Sequence, residues 1–266
     1  MTLPKTPQMK NKSDLVALLK SLEIRCLCDG NLDDFLAAAQ KEAWSPLAII
    51  EQIASRELGE REHRSLKWRL QDSKIGAFLP MASFDWGWPK HIDRPLIETL
   101  LSADFVDTAD NVILIGAHGL GKTLIAKNII HQTILNGHTA LFVEASRLLV
   151  DLAAQDSARA LEQRLRHYAK PKLLCIDEVG YLSYDQRAAD LLFQIIARRY
   201  EKKSIIITTN LGFNDWGPVF PGAASVCSLV DRLIHHSFAT LIEGESYRKH
   251  EAETRKTKLK HKGKAK

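Results

Sequence analysis

Residues whose types and spacing can do chemistry cluster in the second half of the chain. Gly116-Ala117-His118-Gly119-Leu120-Gly121-Lys122-Thr123 satisfies every fixed position of G-x-x-x-x-G-K-[ST]. Glycines at this spacing let successive backbone N–H groups converge on phosphate oxygens, and a following helix adds its positive end. In that role Lys122 contacts the β- and γ-phosphates of a nucleotide and Thr123 ligates Mg²⁺. Some 55 residues on, Lys172-Leu173-Leu174-Cys175-Ile176-Asp177-Glu178 is an apolar run ending in two carboxylates. Asp177 suits the Mg²⁺-linked acid of a P-loop NTPase, and Glu178 suits a base that activates water. A plain solvated strand end is the other reading of that pair. Ser204-Ile205-Ile206-Ile207-Thr208-Thr209-Asn210 ends in polar residues, and Asn210 at its tip would orient the same water if its strand lay beside the one bearing Asp177.

These groups need elements that present them together. Val112 to Ile115, Thr139 to Val143, Lys172 to Ile176 and Ser204 to Thr209 read as short buried strands, and Ala239 to Glu243 reads as an edge strand. Helical stretches lie between them: Thr123 to Asn136, Ala145 to Gln155, Ala158 to Ala169 and Gln186 to Tyr200. All-apolar strands alternating with helices predict an α/β fold, a parallel sheet covered on both faces, whose carboxyl edge carries the site. Ahead of it, residues 13 to 70 read as helical throughout. Ser13-Asp14 marks a first helix start, Asp33 to Lys41 a second helix, and Ser45-Pro46 the N-cap and first position of a third. A helix is also predicted over Ile92 to Leu101. The predicted organisation is an all-helical N-terminal domain (1–72), a linker with a helix leading into the core (73–110), the ATPase core (111–250) and a basic tail (251–266).

Composition narrows the class. With 266 residues, 45% hydrophobic and 26% charged, the chain is ordinary globular material rather than a repeat or a disordered polymer. Four cysteines do not complete a zinc-ligand set and predict reduced thiols. There is neither an apolar run of ~18 residues nor a signal-peptide core, so a cytoplasmic protein without membrane contact is expected. The net charge is +5, but Arg248 to Lys266 holds nine Lys/Arg and two Glu, leaving the first 247 residues at −2. Such a tail is expected to be disordered in isolation, and reads either as a phosphate-seeking arm for nucleic acid or as a solubilising end.

The motifs together resemble the AAA+ class of P-loop ATPases. Trp216-Gly217, Asp231-Arg232-Leu233 with His235-His236, Gly244-Glu245-Ser246-Tyr247-Arg248, Phe84-Asp85, and the helix with Glu60-Arg61-Glu62 and Arg64 narrow this to IstB-type proteins. These are the ATP-binding helpers of bacterial insertion sequences, relatives of the helicase loader DnaC. The resemblance spans roughly residues 45 to 250. It implies ATP and Mg²⁺ as cofactors, hydrolysis at boundaries between copies, homo-oligomers formed with ATP and DNA, and a partner transposase. Arg232 matches the arginine offered to a neighbour's γ-phosphate, a role its planar fork suits. His118, Leu120 and Leu124 depart from the residues usual in the family, at non-fixed positions. The resemblance also offers Arg248 as a second sensor of nucleotide, a role set against the absence of the usual helical lid in chains this short.

Contact with double-stranded DNA is expected from Arg61 and Arg64, which share a helical face with Trp68, from the flanking Lys67 and Arg69, and from the tail. These groups suit phosphates and imply little sequence readout. On pattern alone a solvated amphipathic helix fits the first set equally well. A DnaC-like helicase loader is the alternative function. A small-molecule kinase would need an arginine-bearing lid and no Asn-tipped fourth strand.

Overall fold

A computed structural model describes residues 11–28, 30–181, 185–212, 215–216 and 225–251. The chain divides into two compact units, Met1–Trp68 and Arg69–Lys266.

The first unit is built from α1 (Lys12–Ser21), α2 (Asn31–Lys41) and most of α3 (Pro46–Asp72). Asn11, not Ser13, caps α1, its side chain accepting from the Asp14 N–H at 2.9 Å. Ser45 caps α3 as expected, accepting from the Ala48 N–H, and Pro46 occupies the first turn, where a missing N–H costs nothing. A small core of Leu27, Leu32 and Phe35 is completed by the edge of Trp44, 5.5 Å from the Phe35 ring. A core this small needs polar reinforcement, and Glu57 of α3 supplies it. Its buried carboxylate accepts from the Arg25 and Cys26 N–H groups at 2.6 and 3.0 Å, and from Arg61 Nε at 2.8 Å and Arg64 at 3.0 Å. Burial pushes this carboxyl up, but the four donors outweigh it and hold it down at about 2.

The second unit is a five-stranded parallel sheet with helices. Its elements run α4 (Arg94–Leu100), α5 (Phe105–Thr108), β1 (Asn111–Gly116), α6 (Lys122–Leu135), β2 (Ala140–Glu144), α7 (Ala145–Ala153), α8 (Ala158–Ala169), β3 (Leu173–Val179), α9 (Gln186–Arg199), β4 (Ser204–Thr209), α10 (Ser225–His235) and β5 (Ser237–Ile242). Strand order is β2-β3-β4-β1-β5, with Cys175 opposite Ile206 and Ile113 opposite Ile207 and Ala239. The expected edge strand is present and parallel to β1, beginning two residues and ending one residue earlier than predicted. Strand side chains alternate between faces. Ile113, Leu174, Ile176, Ile205 and Ile207 pack with Leu148, Leu192, Ile195 and Leu233 from α7, α9 and α10. Val112, Leu114, Cys175 and Ile206, on the other face, are equally buried, as are Ile125, Ile129 and Ile130 of α6. The helices flanking β3 and β4 are tied by Arg199, fully buried, which donates to the carbonyls of Tyr168, Pro171, Lys172 and Ser204 at 2.6–3.1 Å. Because β4 lies between β1 and β3, the loop after β1 and the ends of β3 and β4 meet at one edge.

No helix among the described residues is long and apolar enough to cross a membrane. Cys26, Cys28 and Cys175 are free and buried. The tail from residue 252 lies outside the described residues.

Candidate functional site

The loop from β1 to α6 is shaped by what surrounds it. A Cβ on Gly116 would lie 2.3 Å from the Ile242 carbonyl oxygen, so β5 can approach only a glycine there. Gly121 has φ +87, and a Cβ would meet the Phe84 ring at 2.5 Å. Lys122 opens α6 and is nearly buried, its ammonium folded back to donate to the carbonyls of Gly116 at 2.6 Å and Ala117 at 2.8 Å. Burial pushes this ammonium below the usual lysine range, against the pull of Asp177 and Glu178. Its present partners are neutral dipoles, which an anion would displace with gain.

At the end of β3 the pairing slips between Ile176 and Val179, and Glu178 adopts φ +61. A left-handed glutamate costs about 1–3 kcal/mol and needs a compensating contact. Asp177 follows the strand's alternation onto the Cys175 face and is 4% exposed, while the slip leaves Glu178 exposed and returns Val179 to the core cluster of Ile176. Thr208 of β4 joins the two. Its hydroxyl donates to Asp177 Oδ1 at 2.5 Å and accepts from the Glu178 N–H at 2.9 Å. Thr123 Oγ1 lies 3.0–3.1 Å from both Asp177 carboxylate oxygens. Burial pushes the Asp177 carboxyl up, and the hydrogen bonds from Thr208 and Thr123 pull against it. A buried carboxylate and a hydroxyl at this spacing are hard oxygen donors, a set that fits Mg²⁺.

A cavity of about 400 Å³ opens over these groups, within the range of small-molecule sites. Lys122, Thr123, Glu178 and Asn210 share it with the rings of Phe84 and Trp88. Arg248 also lines it. The segment that carries Arg248 reaches the loop through backbone bonds and one indole donor. His91 and Glu243 exchange N–H···O bonds, Trp88 Nε1 donates to the Glu245 carbonyl at 2.7 Å, and the Tyr247 N–H donates to the Gly119 carbonyl at 3.0 Å. No helical lid is needed to bring Arg248 here.

Two contributors thus escape a reading of the sequence, Thr208 and Trp88, while Arg248, weighed there as a second sensor, does line the cavity. Thr208 stands in the sequence as one of two polar residues closing an apolar strand, a signal that can mark an inward hydroxyl but does not say which. Arg232 stands apart from the cavity lining, its guanidinium over the rings of Phe193 at 5.0 Å and Tyr200 at 5.7 Å. In the first unit, Arg61 and Arg64 both bond Glu57 and Lys67 is exposed; Arg69, which begins the second unit, is half-buried.

Comparisons with known proteins place the chain in a family. The family profile of IstB-like ATP-binding proteins matches residues 17–255, beginning well before the residue 45 expected from motifs alone. The chain is 35% identical over 209 residues to the ATP-binding protein of insertion sequence IS5376 from Geobacillus stearothermophilus, covering 79% of this chain and 83% of the relative. It is 33% identical over 235 residues to that of insertion sequence IS21 from Pseudomonas aeruginosa, covering 88% of each. Among solved structures, DnaI aligns with a TM-score of 0.51 at 17% identity, over 65% of this chain and 90% of that one, a likeness of fold alone. With a profile match along most of its length and relatives above 30% identity, the chain belongs to the IstB-like ATP-binding proteins of insertion sequences.

Proposed function

We propose that this protein is a Mg²⁺-dependent ATPase that assembles on double-stranded DNA and recruits or regulates the transposase of its insertion sequence. The observation that carries the reading is the convergence of Lys122, Thr123, Asp177, Glu178 and Asn210, from three separate chain segments, around one cavity. Lys122 would leave its two loop carbonyls for the β- and γ-phosphates, and Thr123 and Asp177 would hold Mg²⁺. When bound, that ion neutralises phosphate charge. Glu178, kept in reach of the cavity by the left-handed turn of its backbone, accepts a proton from the attacking water at a carboxylate oxygen. The Asn210 amide orients that water. Arg232, remote from its own chain's cavity, is assigned to the γ-phosphate of a neighbouring copy, where its charge stabilises the transition state.

The test mixes two inactive variants. Glu178→Gln removes the base and Arg232→Ala the trans-acting charge, so each alone loses about 10²-fold or more in turnover. Mixed assemblies regain interfaces that hold both groups. Recovery of ATPase activity at intermediate ratios supports the proposal, and absence of recovery at every ratio overturns the role of Arg232.

For DNA, Arg61 and Arg64 are poor sites for alanine substitution, because either change weakens the pairing of buried Glu57. Lys67→Ala and deletion of residues 252–266 probe the charge without that side effect. For every phosphate that is no longer neutralised, the slope of log K against log salt should flatten by about 0.9 on duplex DNA. Unchanged slopes in both would move the DNA surface to the core. A DnaC-like loader remains the competing reading, and specific capture of a replicative helicase instead of the transposase would favour it.

A further inference from the structure

We propose that Glu201, His235 and His236 form a binding site for a transition-metal ion of the Zn²⁺ class, remote from the nucleotide cavity. The three come from two places in the chain. His235 ends α10, His236 follows it, and Glu201 lies just beyond α9. Each offers one ligand atom, and these atoms lie within 4.8 Å of one another. The imidazole rings are 4.1 Å apart between centroids, and His236 Nε2 is 3.8 Å from a Glu201 carboxylate oxygen. Ligands bound tetrahedrally at ~2.1 Å sit ~3.4 Å apart, so small rotations of exposed side chains close the set.

The donor chemistry selects the ion. Two imidazoles and one carboxylate suit Zn²⁺, Co²⁺, Ni²⁺ or Cu²⁺, whereas Mg²⁺ favours oxygen donors. Tyr200 supplies outer support. Its hydroxyl lies 3.1 Å from His235 Nδ1, which orients the ring and leaves Nε2 to coordinate. Three protein ligands at the surface leave a fourth position for water or an incoming group. The location has a consequence for the core. Arg232 lies one helical turn before His236, with its guanidinium over the ring of the same Tyr200. A bound ion would tie the end of α10 to the end of α9 and fix the platform on which Arg232 rests.

The experiment uses the full chain without a polyhistidine tag, dialysed against chelator. Zn²⁺ is titrated by calorimetry and Co²⁺ by visible absorption, both with Mg²⁺ in excess. One equivalent of each is expected, with Co²⁺ bands of nitrogen and oxygen ligation. The His235→Ala/His236→Ala double variant should lose that equivalent, and Glu201→Gln should weaken it about 10-fold or more. All three side chains are exposed, so the metal-free variants should keep the wild-type melting temperature, which separates a loss of ligation from a loss of folding. The same equivalent retained in the double variant overturns the proposal. So does a thiolate-to-Co²⁺ charge-transfer band, which would put the ion on cysteine, and so does a wild-type chain that binds none.

Discussion

Thr208→Val removes one hydroxyl and almost no volume, and the structure sets what that should cost. Thr208 is fully buried, donates to Asp177 at 2.5 Å and accepts from the Glu178 N–H at 2.9 Å. A hydrogen bond to a buried charged group contributes about 1.5–3 kcal/mol, and an orphaned N–H costs about 1–3 kcal/mol when buried, with the part-buried Glu178 amide at the low end. Asp177 keeps the Thr123 hydroxyl, which offsets part of the loss, so a net destabilisation of about 3 kcal/mol is expected. For a unit of this size each kcal/mol lowers Tm by about 2–4 °C, giving a fall of about 6–12 °C. Differential scanning calorimetry without nucleotide measures it. Thr208→Ser, which keeps the hydroxyl, should stay within about 1 kcal/mol of wild type. The left-handed turn at Glu178 also loses its tether, so ATP turnover should fall in Thr208→Val and persist in Thr208→Ser. A Tm shift below about 2 °C, with wild-type turnover, would show that the bulge stands without Thr208.

Three further outcomes follow from the same geometry. Lys122→Ala should weaken ATP binding by about 1.5–3 kcal/mol, roughly 10- to 100-fold in a fluorescence titration, and unchanged affinity would remove the phosphate role. The Asp177 carboxyl is raised by burial, so the folded state holds its proton more tightly than the unfolded one. Its stabilising contribution is present in acid and is lost as pH rises from the ordinary carboxylate range through the raised value. Asp177→Asn should therefore flatten the pH profile of metal-free stability and raise Tm at neutral pH while abolishing Mg²⁺-dependent turnover; a lower Tm would contradict the burial argument. Glu57 has the opposite sign, with stability present above about 4.5 and lost as pH falls toward about 2. Glu57→Gln should remove that acid limb and cost about 1.5–3 kcal/mol, read as faster exchange of the Arg25 and Cys26 amide protons.

Much of the core was legible because its signals are local. Eight contiguous residues between an apolar strand and a helix specify the phosphate loop, since glycine spacing and the helix start act within one turn of chain. The alternation of apolar strands with helices likewise implied a parallel sheet, because a strand apolar on every side chain must be covered on both faces. The expected edge strand begins two residues early and ends one early, since Ser237 and Phe238 pair with β1 without looking apolar as a pair. The bulge at Asp177–Glu178 was not legible, because a slip in register depends on the neighbouring strand.

By itself, then, the sequence determined which residues are candidates for phosphate chemistry and in what order the strands and helices come. The tertiary structure alone decided which distant groups meet them. Strand order set β4 between β1 and β3 and so put Thr208 against Asp177. Backbone bonds from residues 243–247 to His91 and Gly119, with the Trp88 indole donating to Glu245, brought Arg248 to the cavity without a lid. Packing of α10 beside α9 placed Glu201 next to His235 and His236. For the same reason Arg61 and Arg64 are not the free cations that the sequence suggests. Their partner, Glu57, looks like a solvated charge in the sequence, and only folding buries it against the Arg25 and Cys26 amides, where an unpaired carboxylate would be costly.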